Sequence, residues 1–255
     1  MTDRAFGQDT GSSHLNPDRA GRRLARHVVS RMLIGVLGTT VLCLSSVEAG
    51  PAAAAPDPDS ASLLGGTGIA RSADLNVQKG ACSLPKAGTY AAAVSRGVFS
   101  GSLACGAALA VTGKGGTVRV EVVDVCDPCA GGDIRLNPAA FAMLGSTDQD
   151  EVPVSWKLTD AEPVGGLTYL SAAGSNEWWW SLQVSNSRYP VAKVEFIDEN
   201  QWKLASRDAN NYFICNGARP PYTFRLTELG GNVVQENLKL VPGKSYQGTQ
   251  QFPTH

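Results

Sequence analysis

Thr117-Val-Arg-Val-Glu-Val-Val-Asp124 is the stretch that sets the class of the fold. Val118, Val120 and Val122 fall at every second position, with Arg119 and Glu121 between them. A period of two puts one set on a core face and the other toward solvent, the pattern of a half-buried strand. Just before it, Gly113-Lys-Gly-Gly116 supplies a turn. Further on, Asn137-Pro138-Ala-Ala-Phe-Ala-Met-Leu144-Gly145 has a capping asparagine, a proline suited to the first helical position and a glycine suited to the exit. The rest of this region is rich in glycine, alanine and valine and lacks long helical periodicity. A small, mostly β domain with one short helix is expected over residues 61–163.

Pro163-Val-Gly-Gly166 reads as a linker. Beyond it come longer apolar runs with aromatic content: Trp178-Trp-Trp-Ser-Leu-Gln-Val184, Val191-Ala-Lys-Val-Glu-Phe196 and Tyr222-Thr-Phe-Arg-Leu226. Turn residues punctuate them at the spacing of a β-sandwich, expected over 164–255. All five tryptophans lie at or after Trp156. By strict alternation Trp178 and Trp180 share a face with Leu182 and Val184, leaving Trp179, Ser181 and Gln183 toward solvent. Trp202 reads as a hairpin residue packed inward, and Trp156 as barrel or interdomain core.

Residues 1–60 do not read as folded protein. Arg22, Arg23, Arg26 and Arg31 precede an apolar run from Met32 to Val47, followed by small residues and Pro51-Ala-Ala-Ala-Ala-Pro56. That is the layout of a secretory signal peptide and linker. The apolar run is shorter than the ~20 residues that span a bilayer comfortably, although an uncleaved anchor is the alternative. The whole chain has 22 basic and 23 acidic residues, so nothing in its charge points to nucleic acid or an anionic membrane. A neutral ligand is expected. The three histidines are His14 and His27 in the leader and His255 at the last position. No Ser-His-Asp triad, Cys-His pair or histidine metal site is therefore expected in the folded body.

Five cysteines follow the leader. Cys82, Cys105, Cys126 and Cys129 lie close together and Cys215 stands apart. In an exported chain the four suit two disulfides, with three possible connectivities. A redox or zinc role for Cys126-Asp-Pro-Cys129 is the alternative, and Cys215 is expected to be a buried free thiol.

Three stretches together resemble the expansin family, in its bacterial and fungal branch. They are Gly80-Ala-Cys-Ser83 with Leu103-Ala-Cys-Gly106; Val120-Glu-Val-Val-Asp-Val-Cys-Asp-Pro-Cys129 leading into Ile134-Arg-Leu-Asn-Pro-Ala-Ala-Phe141; and Trp178 through Phe196, extended by Asn211-Tyr-Phe and Pro221-Tyr-Thr-Phe-Arg-Leu-Thr227. The first two would fit several double-psi barrel families, and the third narrows the choice. The resemblance implies an all-β protein: a six-stranded double-psi β-barrel followed by an immunoglobulin-like β-sandwich. It also implies a secreted monomer that binds cellulose or another cell-wall polysaccharide without cleaving it. No catalytic residue, cofactor or metal, no nucleic acid and, after signal cleavage, no membrane enters that expectation.

Carried over residue by residue, the resemblance assigns polysaccharide binding to Trp178, Trp179 and Asp124. Tyr212 stands in for a third aromatic whose own position holds Asn210. Strand-end backbone bonding is the plainer reading of Asp124. The groove departs from the family at three positions: Arg71 replaces a hydroxyl residue, Arg135 an aspartate, and Cys126 an aromatic. Asp133, two residues before Arg135, would point the same way in an extended segment and recover the carboxylate or pair with the arginine. Related barrels that cleave glycans need two carboxylates, and a guanidinium cannot act as a general acid. A glycan-cleaving enzyme on peptidoglycan or β-glucan is one competing reading, and a protease-inhibitor-like protein-binding barrel is the other.

Overall fold

Six short apolar segments separated by turns form the first half of the fold. They are β1 (Gly65–Ser72), β2 (Ala91–Ser95), β3 (Ala108–Gly113), β4 (Gly116–Cys126), β5 (Ile134–Leu136) and β6 (Val152–Thr159). The structure is a computed structural model describing residues 61–76, 80–86, 88–145 and 149–255, so the expected leader lies outside the described residues. Among these, no helix is long and apolar enough to cross a membrane.

The six strands close a barrel in the order β1-β5-β2-β4-β3-β6, with β6 pairing back onto β1. Pairs β1/β5 and β2/β4 are parallel, which requires crossovers rather than tight turns. This is the six-stranded barrel that the resemblance implied. Val118, Val120 and Val122 point inward as their alternation predicts, against Leu109, Ile134 and Leu136. Trp156 on β6 is buried, and its indole N–H donates to the Gly132 carbonyl at 2.9 Å.

Short helices α1 (Ala61–Leu64), α2 (Arg96–Phe99) and α3 (Pro138–Ala142) cover the barrel. Asn137 caps α3 by accepting from the Ala140 N–H at 3.2 Å, with proline at the first helical position as read from the sequence. Where the loop before β5 crosses β1, the backbones nearly touch. A Cβ on Gly68 would sit 2.4 Å from the Gly132 carbonyl group, so neither strand nor loop can carry a side chain there.

The second half holds β7 (Thr168–Ser171), β8 (Trp179–Ser185), β9 (Val191–Asp198), β10 (Gln201–Leu204), β11 (Ser206–Arg207), β12 (Phe213–Asn216), β13 (Tyr222–Glu228), β14 (Val233–Leu238) and β15 (Ser245–Gln247). They make a four-stranded sheet, β10-β9-β13-β14, and a five-stranded sheet, β11-β12-β8-β7-β15. Trp180, Leu182, Phe213, Phe196, Phe224 and Leu226 fill the space between them. Cys215 is buried in this core as a free thiol, and burial pushes its pKa up to about 12. Trp202 departs from its expected inward packing. It lies half-buried on edge strand β10, under the Arg225 guanidinium at 4.5 Å from the ring centroid.

The solvent face expected for Ser181 and Gln183 is also overturned, and for Gln183 it is the barrel that covers it. Both are buried, and Gln183 Nε2 donates to the carbonyls of Cys82 and Ser83 at 3.0 and 3.2 Å. Asn211 Nδ2 donates to the same Cys82 carbonyl at 3.3 Å, and Ser102 Oγ donates to the carbonyls of Asp208 and Ala209. The linker is strapped down as well. Asn186 Nδ2 donates to the carbonyls of Val164 and Gly166, and Gln247 Nε2 to that of Val164.

Gly68→Ala is expected to lower the unfolding free energy by about 2 kcal/mol or more, since backbone rather than a flexible side chain must move. Urea unfolding followed by tryptophan fluorescence checks this. Native Cys215 is expected to resist alkylation at pH 8 and to react fully in denaturant, which mass spectrometry of labelled peptides reads directly.

Candidate functional site

Strand register assembles one face of the barrel. Arg71 on β1 pairs with Arg135 on β5, Arg135 with Ala93 on β2, and Ala93 with Asp124 on β4. Cross-strand partners share a face, so these four residues form a row on the outside of the barrel. Asp124 belongs to that row only because of a bulge. Ala92 pairs with Val122 and Ala93 with Asp124, leaving Val123 as the extra residue. Strict alternation from Val118 would have turned Asp124 inward; the bulge turns it out.

Asp124 also does what its plainer reading proposed. Its Oδ1 accepts from the backbone N–H of Ala81 at 2.7 Å and of Val125 at 2.8 Å. It therefore anchors the loop carrying Cys82, and Cys82 is joined to Cys105. The second disulfide joins Cys126 to Cys129, so of the three open connectivities the structure takes Cys82–Cys105 with Cys126–Cys129.

Of the two alternatives for Asp133, the ion pair with Arg135 is not formed. Asp133 lies just ahead of β5, and its Oδ1 accepts from the Ile69 N–H at 2.8 Å. Its Oδ2 meets Arg71 at 3.3 Å, and Glu151 takes the other side of the same guanidinium at 2.6 Å. The Glu151 hydrogen bond is the main cause that raises the Arg71 pKa above its ordinary value. Arg135 instead donates from Nε to Cys126 Sγ at 3.0 Å, and among the described residues it has no acidic partner. Arg71, Ser72, Arg135, Pro138, Phe141 and Gln149 line a cavity of about 400 Å³ on this face, with Ala142 and Asp150. Among the described residues no cluster of three or more His, Cys, Asp or Glu side chains could hold a metal ion.

The aromatic residues are positioned by an asparagine turn. Asn176 Oδ1 accepts from the N–H groups of Trp178 and Trp179 at 2.9 and 3.2 Å, so β8 begins only at Trp179. Trp178 is thereby released from the alternation that would have buried it. It is 63% exposed and Trp179 38%, whereas Trp180 is 3% exposed and packs on Tyr222 at 4.5 Å between centroids. Tyr212 is half-buried beside Asp208, and burial first, then the Asp208 charge, raises its phenol pKa. It stands immediately before β12, four residues from Asn216, the register partner of Trp179.

Two members of these surfaces are missing from the sequence reading. Arg219 stacks on Trp178 at 4.7 Å from the ring centroid, and Phe141 walls the arginine-lined cavity. Arg219 has no periodic or motif context, and Phe141, quoted in the sequence only as part of the helix, is a buried core residue whose edge reaches the cavity.

No family model matches the chain. It is 29% identical over 151 residues to Expansin-YoaJ of Bacillus subtilis, covering 59% of this chain and 65% of that protein. Expansin-like protein 3 of Dictyostelium discoideum is 25% identical over 172 residues, 64% of this chain and 51% of that protein. The chain thus spans less than two thirds of the length of these relatives. The apo crystal structure of the Clavibacter michiganensis expansin matches with a TM-score of 0.69 and 30% identity, covering 75% of this chain and 100% of that one. An Asp-to-Asn variant of the same expansin, in complex with cellohexaose, matches equally well.

Asp124→Ala is expected to cost about 2 kcal/mol by orphaning the Ala81 and Val125 N–H groups, while Asp124→Asn keeps an acceptor and costs less than about 1 kcal/mol. Chemical denaturation of the two variants distinguishes this anchoring role from any role at the surface.

Proposed function

The chain belongs to the expansin family, and from that premise we propose that it is a secreted, non-hydrolytic polysaccharide-binding protein acting on cellulose or a similar cell-wall glucan. The observation that supports this reading most directly is the exposure of Trp178 and Trp179 beside a buried Trp180. Pyranose rings present flat CH faces, and exposed aromatic rings stack on them with little desolvation of polar groups. The cellohexaose complex of the related expansin supports a glucan as the polymer.

In this reading the sandwich, residues 164–255, holds the chain through Trp178, Trp179 and Tyr212. The barrel, residues 61–163, meets a neighbouring stretch of polymer with the outward row that contains Asp124, and Asp133 stays in its ion pair with Arg71. Bond cleavage is disfavoured by the residues themselves. Asp124 Oδ1 serves two backbone donors, Asp133 is tied to Arg71, and Arg135 cannot deliver a proton. Loosening of polymer contacts would then come from competition for sugar surfaces rather than from chemistry.

The mature protein is expected to be retained on crystalline cellulose, and Trp178→Ala/Trp179→Ala to reduce that retention at least about tenfold. No soluble sugar should appear in the supernatant. Retention indifferent to the two tryptophans, or released oligosaccharide, would sink this reading.

A further inference from the structure

The paired register of Arg71 and Arg135 puts two like charges side by side, and only Arg71 is in direct contact with carboxylates. Like charges directly opposite each other on neighbouring strands repel, at a strand spacing of about 4.8 Å. Arg71 is balanced twice, by Asp133 and Glu151. Arg135 is not: its Nε meets only Cys126 Sγ, and no carboxylate reaches its guanidinium among the described residues. Its half-buried side chain faces the cavity of about 400 Å³, a volume within the ~300–1,000 Å³ of small-ligand sites. The same cavity offers Pro138 and Phe141 as an apolar wall, and Ser72 and Gln149 as hydroxyl partners. Asp150 at the cavity and Glu151 on Arg71 repel surplus negative charge, so the site suits one localised anion rather than a highly charged ligand.

We propose that this cavity binds a carboxylated sugar residue of a cell-wall polysaccharide, a uronate, with Arg135 taking the carboxylate and Pro138 and Phe141 taking the ring. A guanidinium fork matches a planar carboxylate with two parallel hydrogen bonds, which a neutral glucan cannot supply. Arg219, stacked on the exposed Trp178 and also without an acidic partner among the described residues, places a second cation where the same polymer would be held. The proposal rests on the polysaccharide-binding reading above and adds to it the chemical class of the sugar.

The test compares the mature protein with Arg135→Gln and Arg135→Lys on polygalacturonate, on its methyl ester, on poly(glycerol phosphate) and on crystalline cellulose, by affinity electrophoresis and pull-down. The wild type is expected to bind polygalacturonate on the order of tenfold more tightly than the methyl ester. Arg135→Gln should abolish that difference while cellulose retention still depends on Trp178 and Trp179, and Arg135→Lys should restore the difference only in part. Equal binding of acid and ester, an acid preference that survives in Arg135→Gln, or a preference for the phosphate polymer overturns the proposal. If Arg135→Gln fails to fold, salt titration of the wild type decides: an acid preference that persists in molar salt also overturns it. Wild-type protein that prefers the acid polymer but ignores cellulose would strike the glucan reading and leave this one standing.

Discussion

The carbonyl oxygen of Cys82 holds the two halves of the molecule in register. It accepts from Gln183 Nε2 and Asn211 Nδ2, both fully buried side chains of the sandwich. The same residue is fixed to Cys105 by a disulfide, and its neighbour Ala81 is held by Asp124. A buried amide left unpaired costs about 1–3 kcal/mol, so displacing this loop would strand several polar groups at once. The loop therefore links three things: the strand bulge that aims Asp124, the disulfide that staples the barrel, and the sheet that begins with the exposed tryptophans. The proposed binding surface, drawn from barrel and sandwich, would need such a fixed joint, because a mobile one would lose orientational freedom on every binding event.

Much of this was legible in the sequence wherever a local rule governs. Val118, Val120 and Val122 alternate and point inward; Asn137 and Pro138 start a helix; Pro163-Val-Gly-Gly166 falls in the strand-free stretch between β6 and β7. The failures are non-local. Gln183 alternates like a surface residue, and only the barrel packed against it makes it a buried one. Asp133 looks like a partner for Arg135 when the segment is drawn as an isolated strand. The closed barrel instead brings in Arg71 from β1, a residue 62 positions earlier in the chain. The bulge at Val123 left one trace, the adjacent pair Val122-Val123, which interrupts an otherwise strict alternation without announcing which side gains the residue.

The three consecutive tryptophans show how small a local change separates exposure from packing. Alternation alone assigns Trp178 and Trp180 to the core together. The Asn176 side chain ends that symmetry by capturing two backbone N–H groups, so the strand starts one residue later. Trp180 then packs against Tyr222, and Trp178 and Trp179 stay at the surface, where large apolar rings are expected to have a partner.

The arginine row makes the complementary point about charge. Placing two arginines side by side on β1 and β5 is tolerable for folding because Asp133 and Glu151 neutralise one of them at the barrel surface, where such pairs are individually weak. Neither arginine enters the core, which is filled by valine, leucine and isoleucine on the opposite face of the same strands. Most of the barrel's stability comes from that inner face, so the two arginine positions weigh little on the fold, whereas Asp124 in the same row anchors the Cys82 loop. In the proposed binding mode ligand chemistry would weigh more, because the polymer would meet the outward row directly. A barrel of this kind is free to keep its packing and exchange its preferred polymer through a few outward positions.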